Sequence, residues 1–351
     1  MVLSSAWSKQ RKDVRALLRP FAVPSFARAL PLIALDLGVF LAGSYAVVAA
    51  SEIALKFLAS LLVGLSICRM FVLGHDACHQ SLTSSRSFNA WIGRILFLPS
   101  LSCYSLWAAG HNVAHHRFSG LRGKDIPWVP LSPESYLRLS RGARWLYRSY
   151  RSWWGAGLYY GVDVWWRQQY FPRGKVRRIF IADSWLVTVF AALQAALYIS
   201  AAIHTGQSPA LLLACGMVLP FAFWLWMAGF VFYVHHTDET TRWFDDETEW
   251  RRVQPNLDGT HGSRLPLRID LVLHHALEHT AHHVNPAIPC YRLTEAQRAL
   301  EDHYPTEVPR RSVTMRRYLE ITRACQLYDS HQHRWVTFAE VDTAPIVVAT
   351  R

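Results

Sequence analysis

Over most of the first 234 positions, apolar residues do not alternate with polar ones at a helical or strand period. They run on without a polar face. Four stretches are long enough to cross the hydrocarbon core of a bilayer, which takes about 20 residues of helix. They are residues 30–50, 53–73, 185–203 and 209–234, interrupted only by Asp36, Lys56 and Arg69 among charged side chains. A surface helix of a soluble protein of this length would carry a polar stripe. Two residues, Ser51-Glu52, join the first pair of runs, and residues 204–208 join the second. The pattern predicts an all-α integral membrane protein with four transmembrane helices in two hairpins. The first apolar run begins near residue 30, which argues against a cleaved N-terminal signal peptide.

Basic residues set the predicted orientation. The N-terminal arm carries Lys9, Arg11, Lys12, Arg15, Arg19 and Arg28, and the stretch before the third run carries Arg173, Lys175, Arg177 and Arg178. Neither short connection holds a lysine or arginine. Both connections are therefore expected outside, with the termini and the long middle segment in the cytoplasm. A fifth apolar stretch, residues 90–110, contains Arg94 and Pro99 and is rich in serine. It is read as re-entrant or interfacial rather than spanning. The expected division is a basic cytoplasmic arm (1–29), a membrane stem (30–234) with a cap insertion at 75–182, and a cytoplasmic cap and tail (235–351). Trp145, Tyr147, Trp153, Trp154, Trp165 and Trp166 crowd the insertion beside arginines, a pattern suited to the lipid headgroup level.

Composition supports this picture. Of 351 residues, 51% are hydrophobic and 18% charged, against about 25% charged in a typical soluble domain. The formal net charge of +12 suits an anionic lipid surface, an acidic protein partner or nucleic acid. The multi-span pattern argues against nucleic acid. Six cysteines lie far apart without a Cys-x-x-Cys pair, which excludes a disulfide scaffold and a thiolate zinc finger.

The 17 histidines are clustered. His75 and His79 follow the second run. His111, His115 and His116 follow the fifth stretch. His235 and His236 close the fourth run, and His274, His275, His279, His282 and His283 come later. On an α-helix, positions three and four apart share a face, so each cluster is expected to present two or three imidazoles to one point. Eight to ten nitrogen donors exceed the four that one zinc takes and suit two metals. The residues after His75, His111 and His279 are Asp76, Asn112 and Thr280, so the His-Glu-x-x-His pattern of zinc proteases is absent. His204, His261, His303, His331 and His333 stand outside the clusters and read as surface or hydrogen-bonded residues. If residues 90–110 do not cross, every cluster lies on one membrane face. An all-nitrogen, two-metal site favours iron. With O2, such a site attacks unactivated C–H bonds, which no side chain can do alone. Beside a bilayer the substrate is expected to be a lipid chain.

His75-x-x-x-His79, His111-x-x-x-His115-His116 and His279-x-x-His282-His283 resemble the three histidine boxes of the membrane fatty acid desaturase superfamily, in order and at the expected spacing from the spans. Tyr233-Val-His-His-Thr-Asp238 and the segment from His279 to Pro289 resemble the delta-12/omega-3 acyl-lipid group. The resemblance implies a stem of four helices, a cytoplasmic helical cap holding a di-iron site, and an acyl channel between them. It implies that the eight box histidines are iron ligands, with His236 as the ninth and His235 as its alternative. His274 or His275 stands where relatives carry a further histidine or asparagine. Asp76 is expected to orient an imidazole. O2 is the implied co-substrate and a fatty acyl lipid the substrate. No haem-binding His-Pro-Gly-Gly segment or ferredoxin-like cysteine run is present, so a separate electron donor of ferredoxin or cytochrome b5 type is expected, in a bacterial inner membrane or endoplasmic reticulum. Hydroxylases, acetylenases and carotenoid-type oxygenases share the boxes. A metal transporter would instead place ionisable residues near the midplane, where only Asp36 lies deep.

Overall fold

The computed structural model describes residues 10, 12–170, 177–253, 257, 259–264 and 269–343. Lys9, Arg11, Arg173 and Lys175 of the basic segments lie outside these residues. In chain order the principal helices are α1 (Phe26–Ala49), α2 (Ile53–Cys78), α3 (Arg86–Phe97), α4 (Tyr104–Ala108), α5 (Arg178–Thr205), α6 (Pro209–His236), α7 (His279–Val284) and α8 (Cys290–His303). Among the described residues, α1, α2, α5 and α6 are long and apolar enough to cross a membrane. They extend past the apolar runs at their ends. α2 continues beyond Leu73 through His75 to Cys78, and α5 begins at Arg178. Helical hydrogen bonding carries the backbone on after hydropathy falls.

The packing explains which faces remain apolar. α1 buries a stripe of Ala29, Ile33, Asp36, Phe40, Gly43 and Val47, spaced by three and four residues, and leaves Leu30, Leu35 and Leu41 exposed. Exposed leucines of this kind suit a lipid surround. α2 is the central helix, with 61% of its apolar window buried against 17–28% in the other three. Small residues let the backbones approach. A Cβ on Gly43 would stand 2.9 Å from Val63 Cγ2, and one on Gly229 would stand 2.1 Å from the Ala156 carbonyl oxygen. Lys56 Nζ donates to Val47 O at 2.8 Å and to Gln207 Oε1 at 2.5 Å, and Gln207 Nε2 donates to Val48 O at 2.9 Å. These bonds hold the two short connections together. His75 lies 19 residues further along α2, about 28 Å away at 1.5 Å per residue.

Residues 90–110 do not form one straight helix. The helical stretches Arg86–Ser100 and Tyr104–Phe118 meet at 104°. Pro99 and left-handed Leu101 (φ 49°) stand at the bend. The groups freed there find partners: Trp165 Nε1 donates to Leu101 O at 2.8 Å, and Asp183 Oδ2 accepts from Ser105 N at 3.0 Å. Asp183 also pairs with Arg94 at 2.8 Å, tying the bend to α5. After α6, two small pairings hold the later chain: β1 (Ser263–Arg264) runs parallel to β2 (Arg311–Ser312), and β3 (Leu327–Asp329) antiparallel to β4 (Arg334–Val336). A second core of Trp128, Tyr233, Trp243, Leu277, Tyr318 and Trp335 joins this part to the end of α6.

Candidate metal centre

All nine histidines expected as ligands converge at the ends of α2, α4 and α6 and on α7. They form two groups, within each of which one nitrogen per ring lies within 4.8 Å of the others. The first group is His75, His79, His111, His116 and His282. The second is His115, His236, His279 and His283.

This partition corrects the expectation that each cluster meets at one point. Residues Ala109–His115 form a π-helical turn, closed by a bond from His116 N to His111 O. With i→i+5 bonding, His111 shares its face with His116, and His115 turns to the other group. In α7, His279 and His283 keep the four-residue relation while His282 faces the first group. Two boxes therefore each serve both groups.

Ring nitrogens point at ring nitrogens. The Nε2–Nε2 distances are 3.1 Å for His75–His111, 2.9 Å for His111–His116 and 3.1 Å for His116–His282. In the second group they are 3.2 Å for His115–His283 and 3.0 Å for His236–His279. His79 Nε2 is buried without a hydrogen-bond partner among the described residues. Donors bound tetrahedrally to one ion at 2.0–2.1 Å stand about 3.4 Å apart, so this spacing suits metal. Burial first, and neighbouring imidazoles second, hold His279, His282 and His283 well below the usual histidine range. They are neutral, the form that binds metal. Burial likewise pushes the adjacent Glu278 up to about 7.

Carboxylates fix two of the rings. His75 Nδ1 lies 3.3 Å from Asp76 Oδ1, as expected of Asp76, whose other oxygen accepts from Cys290 N at 2.5 Å. His115 Nδ1 lies 2.7 Å from Asp125 Oδ1, and Asp125 Oδ2 accepts from Gly120 N at 2.8 Å. Sequence reasoning missed Asp125. It sits in a turn ten residues downstream, where no periodicity marks it.

The remaining clustered histidines stand apart. His235 is buried, stacks on His279 at 3.9 Å, and has neither ring nitrogen hydrogen-bonded among the described residues. His274 Nε2 bonds Asp36 Oδ2 at 2.5 Å, and His275 Nδ1 lies 2.8 Å from Thr294 Oγ1. Of the isolated histidines, His204 is exposed on the Ser200 carbonyl, and His261 is buried against Thr241 Oγ1 at 2.8 Å.

Two cavities flank the groups. A narrow, mostly apolar one of about 80 Å³ is lined by Phe71, Trp224, Val231 and Leu273 and bounded by His75 and His279. A wider one of about 470 Å³ meets His111 and His115 and has Arg167 and Gln168 among its lining. Phe232 and His111 border both.

Four membrane-length helices, two of which end at a pair of imidazole groups beside a mostly apolar cavity, define a helical protein equipped to hold metal next to a lipid chain. The fatty acid desaturase profile matches residues 51–314, and the chain belongs to that family. It is 26% identical over 308 residues to the sn-1 oleoyl-lipid 12-desaturase of Picosynechococcus sp., covering 85% of this chain and 84% of that protein. It is 26% identical over 303 residues to the chloroplastic omega-6 fatty acid desaturase of Spinacia oleracea, covering 82% and 63%. A 12-desaturase of Synechocystis sp. is 26% identical over 288 residues, covering 79% and 77%. The protein is an oxidoreductase, a fatty acyl desaturase of a membrane-bound family.

Proposed function

We propose that the protein is an O2-dependent, di-iron acyl-lipid desaturase. The observation that carries this reading is the pairing of two imidazole groups with an apolar cavity that His75, His111, His279 and His282 border. His75, His79, His111, His116 and His282 would hold one iron, and His115, His236, His279 and His283 the other. Bound iron would supply the redox chemistry that reduces O2 and removes hydrogen from an unactivated C–H bond. The balance is one CH2–CH2 unit, O2, two electrons and two protons going to one CH=CH unit and two waters. Burial in the chain holds His279, His282 and His283 neutral, and Asp76 and Asp125 fix the rings of His75 and His115. The apolar walls exclude water and keep the alkyl chain extended past the metals. Electrons come from a separate protein of ferredoxin or cytochrome b5 type, docked on the cytoplasmic side.

In this reading α1 with α2, and α5 with α6, are the two membrane hairpins, and the bent segment dips into the bilayer without crossing. The histidines and termini are cytoplasmic, and residues 75–182 and 235–351 make up the cap. The short connections bear no lysine or arginine, and they lie about one hydrocarbon thickness from His75.

Expression in a host with a simple lipid profile, followed by mass spectrometry, tests the reaction. Oleoyl lipid is the first substrate to examine, given the names of the relatives. Loss of two hydrogens is expected, whereas gain of one oxygen would mark a hydroxylase. The native cysteines among the described residues are all buried, so an exposed Lys124→Cys reports orientation. It should be labelled only from the cytoplasmic side, and external labelling would refute the topology.

A further inference from the structure

A largely buried charged cluster joins α1, α2 and residues 272–274, and none of its members belongs to either imidazole group. Asp36 of α1 is fully buried, and its Oδ1 accepts from Arg69 Nε of α2 at 2.6 Å. Its Oδ2 lies 2.5 Å from His274 Nε2, and Arg69 Nη1 reaches the Val272 carbonyl at 2.6 Å. Charged groups at such depth are costly, and a well-packed apolar cluster would serve stability as well. Stability alone therefore does not account for them.

The segment they hold is strained. His274 and His275 are successive left-handed residues, with φ of 50° and 58°, and neither is glycine. Such backbone persists only where its surroundings over-determine it. Here they do. His275 N donates to Asp270 O at 2.9 Å, and Glu278 N donates to His275 O at 3.0 Å. Asp36 fixes the His274 ring and Thr294 the His275 ring. Leu273 and Ala276, which flank the strained pair, line the apolar cavity. Three residues beyond Ala276 the chain reaches His279.

We propose that Asp36, Arg69 and His274 are positioning residues, a clasp between the first two membrane helices and residues 272–276 that presses Leu273 and Ala276 against the cavity and so sets how the acyl chain is gripped. His274 acts through Asp36 and is not a metal ligand. The clasp rests on the reading of the cavity as the acyl-chain site.

The test compares purified wild-type protein with Asp36→Asn, His274→Gln and the double variant. Three quantities are read: iron per chain, the Kd for a spin-labelled acyl lipid, and KM against kcat. The expected result is unchanged iron, a Kd and KM raised at least 5-fold, and kcat within 2-fold of wild type. The double variant should be no worse than the more affected single, because both remove the same Asp36–His274 contact. Loss of iron with collapse of kcat in His274→Gln would make His274 a ligand and overturn the proposal. A lower Tm with unchanged Kd and KM would reduce the clasp to a structural role and overturn it too. Should the charge variants fail to insert, Ala276→Val decides. It narrows the wall without touching the cluster, and an unchanged Kd there refutes the gripping role. Wild-type protein that binds the lipid but forms no olefin would refute the desaturase reading and leave the clasp standing.

Discussion

Two adjacent histidines differ in what they face. His236 Nε2 lies 3.0 Å from His279 Nε2, and its ring meets His115 at 4.5 Å. His235 lies flat on His279, with rings 16° apart. Neighbouring helical positions point about 100° apart, so the pair cannot serve one metal alike. His236→Ala should lose iron and product together. His235→Ala should keep its iron and at least part of its activity. Metal analysis of both variants decides, and the reverse pattern would hand the role to His235. Asp125→Asn keeps the shape of the side chain but loses the charge that orients the His115 ring. Removing such a partner typically costs 10–100-fold in metal affinity or activity, to be measured by iron retention against a chelator. The imidazoles were legible because doubled histidines at helical spacing are rare, and Asp76 because it adjoins one of them. Asp125 was not, since only the Gly120–Asp125 turn brings it to His115.

Among the elements, the apolar spans were readable because lipid offers backbone and side chains no polar partner. The helix ends were not, since His75, Asp76 and His236 are polar yet helical. The π-turn Ala109–His115 left no trace in residue type, so the sharing of faces by His111 and His116 had to be seen. Helix Ala156–Tyr159 lies so close to α6 that a Cβ on Gly229 would meet the Ala156 carbonyl oxygen at 2.1 Å and its carbon at 2.5 Å. Backbone cannot yield as a side chain would. Gly229→Ala should therefore destabilise, despite alanine's better helix propensity, by about 1–3 kcal/mol from overpacking. A lowered Tm is the readout, and iron loss should accompany it because α6 carries His236. An unchanged Tm would show that the two elements separate without cost.

Across the whole molecule, the end holding Lys56 and Gln207 is closed by hydrogen bonds between its two connections. The opposite end gathers donors from α2, the π-turn, α6 and α7. The π-turn gives His111 and His116 to one group and His115 to the other, and α7 gives His282 to one and His279 with His283 to the other. Neither group can be ordered without stiffening the backbone that the other needs. Ordering the first therefore lowers the entropic cost of the second. Iron uptake by metal-free protein should be sigmoidal, passing from none to two per chain with little singly loaded protein between. Native mass spectrometry during titration would reveal this, and two independent hyperbolic steps would refute it. For a cell short of iron, a protein loaded in this way would divide its population into fully equipped and empty chains, and would spend little metal on half-built ones.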